Sequence, residues 1–197
     1  MLDHLLSLEG AKVTLSSLLI LGVFYFQLTS KSLNYRQIRK ILLISFAGII
    51  LLVTYEGYLL YQGWMQSEIG RYLLPPYQNI GYFLFRFFKT SLLSWVVAAV
   101  GGVFLAWTAQ KLNNRFDERF FEKEEISLFA LAAFLVGYPG ILFYVIFVLL
   151  TELFLTIIYT LGGWGRAPMY YLWLPVALFV MIMMYQVPVY FIRLFLF

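Results

Sequence analysis

Long uncharged apolar runs alternate along this chain with short charged or glycine-rich breaks, and run length rather than two-residue alternation sets the pattern. The first run extends from Val13 to Ser30 and closes on Gln27-Leu28-Thr29-Ser30. Lys31, Arg36, Arg39 and Lys40 then form a basic loop before a second run from Ile41 to about Tyr61, interrupted only by Glu56. A third, Thr90 to Gln110, holds 21 residues without a charge. About 20 such residues, at about 1.5 Å each, match the hydrocarbon thickness of a bilayer, so each run predicts a membrane-spanning helix. Between the second and third, Gly63, Gly70, Pro75-Pro76 and Gly81 break the pattern while Trp64, Tyr72, Tyr77 and Tyr82 suit headgroup depth, so 62–89 is expected to be an interfacial segment.

The carboxy-terminal half needs subdividing. Ile126 to Thr151 is 26 uncharged residues, too long for one straight span, and Gly137-Tyr138-Pro139-Gly140 supplies a turn. The reading therefore ends a fourth helix near Val136 and starts a fifth near Ile141. Gly162-Gly163-Trp164-Gly165-Arg166 separates the fifth from a sixth, expected over Tyr171 to Tyr190, with Pro175 near its start and Pro188 near its end. The fold class that follows is all-α, a polytopic membrane protein of about six transmembrane helices in a single domain, 1–197.

Composition places the chain in that class independently of the spacing. Of its 197 residues 62% are hydrophobic and 12% charged, with mean hydropathy +0.84, far more apolar surface than one water-soluble domain of this size buries. The net charge of +4 is dispersed among loops, which argues against a nucleic-acid partner and for cations that set topology. Lys and Arg number nine in the loops after helices one, three and five and five elsewhere. The positive-inside rule then puts odd-numbered loops in the cytoplasm and both termini outside. The absence of cysteine removes thiolate nucleophiles and thiolate zinc sites. The start, Met1-Leu2-Asp3-His4, lacks a basic n-region and no small-residue cleavage site follows, so no cleaved signal peptide is expected.

Few residues in the apolar runs can do chemistry. The charge cluster Lys123-Glu124-Glu125 runs directly into the fourth helix, placing an acid where water meets hydrocarbon. Glu152 is the only ionisable residue of the fifth helix, about 16 Å along it from Ile141. A carboxylate there must be protonated, paired or wet, with Thr151 and Ser94 as candidate partners. Glu56, beside Tyr55 and Tyr58, is expected to snorkel to the outer interface. His4 has no second ligand at helical spacing, and no metal constellation or phosphate loop appears, so no metal or cofactor is expected. Asp117, Glu118, Arg115 and Arg119 alternate in sign and suit a polar helix extension. Ser94, Ala98, Gly102 and Ala106 form a small-residue stripe that lets another helix approach closely.

The order of these features resembles the catalytic domain of the type IV prepilin peptidases, membrane aspartyl proteases that trim pilin-like leader peptides. Glu122-Lys123-Glu124-Glu125-Ile126-Ser127-Leu128 falls where that family's G-x-G-D-[IV]-K-L motif opens helix four, followed by Leu131-Ala132-Ala133-Phe134-Leu135-Val136-Gly137 in place of its small-residue run. Ala167-Pro168-Met169-Tyr170-Tyr171-Leu172 falls where I-P-F-G-P-F opens helix six. Gln27 takes the place of the first catalytic aspartate, with Leu33-Asn34 where I-P follows it. The similarity covers about 16–182 and implies six spans in the plasma membrane of a bacterium or archaeon.

The departures bear directly on activity. An aspartyl dyad shares one proton between two carboxylates, and the amide of Gln27 can neither accept nor deliver it near neutral pH. Glu125 keeps a carboxylate on a longer stem, and a charged residue stands where the motif has a glycine. The resemblance therefore implies a catalytically impaired member that holds a pilin-like leader helix against the small-residue groove, as a binding or assembly component of a pilus or secretion system. Two alternatives remain open on sequence: an active leader endopeptidase using Glu125, alone or with Glu152, and a small proton-coupled transporter around Glu152.

Overall fold

The computed structural model describes residues 2–29, 35–116, 121–164 and 169–186. Among these residues all regular structure is helical: α1 (Leu2–Thr29), α2 (Tyr35–Gln66), α3 (Ile80–Phe87), α4 (Leu93–Arg115), α5 (Lys123–Val136), α6 (Gly140–Gly162) and α7 (Trp173–Gln186). A π-helical stretch, Phe88–Leu92, joins α3 to α4, and short 3₁₀ turns occupy Gly70–Leu73 and Met169–Tyr171. Leu33-Asn34, Asp117, Glu118, Arg119, Gly165-Arg166, Ala167-Pro168, Pro188 and Tyr190 lie outside the described residues, as does the side chain of His4.

Among the described residues, four segments are long and apolar enough to cross a membrane: Gly10–Thr29, Arg36–Gln66, Ile80–Arg115 and Gly140–Gly162. The expected fourth helix is present as α5, which has 14 residues. That is about 20 Å of helix, short of the ~30 Å hydrocarbon layer. The expected sixth is present as α7, described over Trp173–Gln186. These two helices form the centre. Leu128 and Leu131–Leu135 of α5 are buried, as are Trp173, Leu174, Ala177 and Val180 of α7, whereas the long helices turn rows of Leu, Ile and Phe outward. An apolar exterior around an apolar centre is the arrangement lipid solvates.

The α5–α6 turn lies inside the bundle. Gly137, Pro139 and Gly140 are all buried, and Gly137 has φ 73°, a conformation that favours glycine, so the chain reverses without emerging. The ring of Phe129 on α5 meets that of Tyr144 on α6, as an antiparallel hairpin requires.

The segment 62–89 divides more finely than its composition suggests. Residues 62–66 continue α2 and Ile80 opens α3, capped by the Asn79 side chain, which accepts from Gly81 N at 2.8 Å. The α-helix is absent over 67–79, where a 3₁₀ turn at Gly70–Leu73 precedes Pro75-Pro76, whose rings lack the backbone donor. Gly63 does not interrupt α2, since the neighbouring Trp64 and Tyr61 pack their rings on Phe83 of α3.

The small-residue stripe is occupied from within the chain. Ala98 and Gly102 are buried against α5, and a Cβ at Gly102 would stand 3.2 Å from the Ala130 carbonyl oxygen. This close approach makes α4–α5 the tightest helix pair, so the stripe offers no free groove along most of its length.

Candidate functional site

One end of the bundle gathers the carboxy end of α1, the amino ends of α2, α5 and α7 and the carboxy end of α4. It carries Arg36, Arg39 and Lys40 on α2 and Lys111 and Arg115 on α4. Asn113, buried in the last turn of α4, fixes how α5 begins: its Nδ2 donates to the Phe121 carbonyl at 2.7 Å, and its Oδ1 accepts from Phe121 N at 3.0 Å. Phe121 and Phe129 then set their rings against Trp173 at the start of α7.

Glu125 is buried at the mouth of α5 and belongs to its cap. Glu122 is the N-cap, and the two residues exchange bonds reciprocally: the Glu125 carboxylate accepts from Glu122 N at 2.9 Å, while the Glu122 side chain accepts from the Glu125 backbone. Two of the backbone donors that every helix start leaves over are satisfied in this way. The acid that sequence marks for chemistry therefore carries a structural duty.

Gln27 is 1% exposed at the end of α1's buried face, which runs Lys12, Ser16, Ile20, Val23, Gln27. Its Nε2 donates to the Tyr170 carbonyl at 2.8 Å. Gln27 and the α5 mouth thus converge on one short segment, 170–173: Gln27 through Tyr170, and α5 through the Trp173 ring. Trp173's own carbonyl accepts from the Tyr144 hydroxyl at 3.2 Å. Two polar atoms here lack hydrogen-bond partners among the described residues, the acceptor Gln27 Oε1 and the donor Trp173 Nε1. A buried polar atom left unpaired costs about 1–3 kcal/mol, so an unmatched acceptor and donor flanking one segment are conspicuous.

Next to Asn113, α2, α4 and α5 line a partly open cavity of about 500 Å³. Its outer lining includes Arg39, Asn113, Asn114, Glu124 and Ser127, and its inner lining Leu42, Ala106 and Ala130.

Glu152 lies on α6, half-buried and engaged in an interaction of its own. The Thr151 hydroxyl donates to the Phe147 carbonyl at 2.7 Å, and the Ser94 hydroxyl approaches the Ser91 carbonyl at 3.4 Å. Neither hydroxyl donates to Glu152. Because α6 starts inside the bundle rather than at its surface, distance along the helix from Ile141 does not measure depth from water.

The opposite end holds a polar cluster that sequence reasoning missed. Glu56 does not snorkel outward beside Tyr55 and Tyr58. Those tyrosines are exposed, whereas Glu56 is buried on the α2 face that carries Val53 and Ile49 three and seven positions earlier. Its Oε2 accepts from Lys12 Nζ of α1, and its Oε1 accepts from the Ser91 hydroxyl at 2.9 Å. Ser91 belongs to the π-helical stretch, whose extra residue per turn rotates the hydroxyl toward α2. Gly57 lets Phe87 close over the site, since a Cβ there would stand 2.9 Å from the ring. The missed signal was spacing: Glu56 continues an apolar stripe with helical periodicity, and Lys12 stands one turn before Ser16 on the buried stripe of α1.

Among the described residues no group of three or more His, Asp or Glu could hold a metal ion. Compared with family models, with curated proteins and with solved structures, the chain finds no match.

Proposed function

We propose that this chain is a catalytically silent relative of the type IV prepilin peptidases, a membrane scaffold that holds a pilin-like leader peptide without cutting it, its basic end in the cytoplasm. The observation that carries this reading is the pair of unpartnered buried atoms, Gln27 Oε1 and Trp173 Nε1, flanking segment 170–173. There an amide, Gln27, stands where the first catalytic acid would be, and Glu125, in place of the second, is committed to the α5 cap. Proton exchange between two carboxylates cannot proceed through an amide. Binding can: the unpaired Gln27 Oε1 and Trp173 Nε1 offer an acceptor and a donor, the complement of the N–H and C=O of a peptide backbone. The small-residue stripe is filled by α5, so the leader is assigned to segment 170–173 instead.

The test uses the full chain in lipid nanodiscs, a photo-crosslinker on α1 next to Gln27, and a synthetic pilin-type leader with its apolar segment. Crosslinking without cleavage is expected, weakened in Trp173→Phe, which keeps the ring and removes the donor. Cleavage that stops in Glu125→Ala would establish the endopeptidase instead. Proton-driven flux abolished by Glu152→Gln would establish a transporter, and absence of any crosslink would refute leader binding.

A further inference from the structure

The cavity between α2, α4 and α5 has the same polarity gradient on all three of its walls. On α2, Arg39 precedes Leu42; on α5, Glu124 precedes Ala130; on α4, which runs the other way, Ala106 precedes Gln110. Each helix thus places a charged or hydrogen-bonding residue near the outer level and an apolar residue about one or two turns deeper, roughly 5–10 Å, with Ile38 and Ile126 as apolar residues among the outer polar ones. A long molecule with a polar head and an apolar tail, aligned along the bundle axis, matches all three walls at once.

The space is about 500 Å³ and partly open, with Arg39, Gln110 and Asn114 exposed at its rim, which leaves room for a lipid headgroup with the first part of a chain as the occupant. Charge narrows it further. The lining carries one guanidinium, Arg39, and one carboxylate, Glu124, on separate walls. Neither is hydrogen-bonded or ion-paired among the described residues. A purely anionic head would meet the carboxylate, and a purely cationic one the guanidinium.

From these facts we infer that the cavity is a binding site for phosphatidylethanolamine. Its phosphate lies on Arg39, which can grip phosphate oxygens in a bidentate fork, and its ammonium donates to Glu124. Gln110 adds an uncharged donor at head level, and Leu42, Ala106 and Ala130 receive the start of an acyl chain. Phosphatidylcholine has the same charge but no N–H to give a carboxylate, so the site discriminates between the two zwitterions by hydrogen bonding.

Native mass spectrometry of the full chain, equilibrated with equal amounts of phosphatidylethanolamine, phosphatidylcholine and phosphatidylglycerol of matched chains, tests this. Several-fold preferential retention of phosphatidylethanolamine is expected. Glu124→Gln should abolish the preference over phosphatidylcholine while phospholipid still binds, Glu124→Asp should retain it, and Arg39→Gln should lower retention of all three lipids. Equal retention of the three by the unmodified chain would overturn the assignment, as would preference for phosphatidylglycerol or a preference untouched by both charge-removing variants. Leader crosslinking at Gln27 reads a different site, so the two proposals fail separately.

Discussion

The two ends of α1's buried face place a polar side chain in similar surroundings and treat it in opposite ways. Lys12 and Gln27 are 15 residues apart, about 22 Å along one helix. At the first end both Glu56 oxygens are engaged, one by Lys12 and one by Ser91, and Phe87 closes over Gly57, while Ser16 Oγ one turn further along α1 has no partner among the described residues. At the other, Gln27 makes one bond to Tyr170 and keeps an unpaired acceptor near an unpaired indole donor. A closed network holds helices in register, whereas an open one leaves hydrogen-bonding capacity for a ligand. The difference assigns architecture to the Lys12 end and recognition to the Gln27 end.

Breaking the closed end should have the largest effect. Glu56→Ala takes a buried carboxylate away from Lys12 and from the Ser91 hydroxyl and should cost about 3–5 kcal/mol, read as a lowered unfolding temperature of the detergent-solubilised chain. The double variant Lys12→Met, Glu56→Leu should recover most of that loss, because it removes both charges. A double variant as unstable as Glu56→Ala would mean that the cluster does more than tie α1 to α2.

The α4–α5 contact comes next, since it fixes the mouth of α5 on which the open end is built. Gly102→Val drives a branched side chain toward the Ala130 carbonyl and should cost about 1–3 kcal/mol. Gly22→Ala, with nothing within 4 Å of the added Cβ, is the matched control and should leave the unfolding temperature nearly unchanged. Equal effects at the two glycines would remove the distinction between a packed stripe and a lipid-facing one.

Smaller effects are expected at the open end itself. Glu125→Ala deletes one arm of the capping box and should cost about 1 kcal/mol, with Glu125→Gln milder because the amide oxygen still accepts from Glu122 N. Gln27→Leu should change stability least, within about 1 kcal/mol, because losing the bond to the Tyr170 carbonyl is offset by removing a buried unpaired acceptor. Its effect should appear in leader crosslinking instead. A large destabilisation in Gln27→Leu would place that end with the architecture and sink the comparison.

Particular residues show how far the sequence could be read. The turn at 137–140 was legible because Gly137 and Pro139 restrict the backbone whatever surrounds them. The packing role of Ala98 and Gly102 was legible because small side chains recur with the helix period. Glu56 was misplaced because its neighbours Tyr55 and Tyr58 suggested an interface, although they point to other faces of α2. Glu125 was legible as an acid at a helix mouth, but its capping bonds depend on the extended backbone of Glu122 just before the helix.

By itself, the sequence determined that the chain is helical and lipid-solvated and where the apolar runs divide, because hydrophobicity and proline or glycine chemistry act over one or two turns. Only the tertiary structure decided that α5 and α7 are the central helices, that Lys12 meets Glu56, and that Gln27 bonds the segment leading into Trp173. Those outcomes depend on how each helix is rotated about its axis and which face meets which neighbour. Rotation is fixed by contacts between residues far apart along the chain, as between Gln27 and Tyr170, and no local pattern carries it.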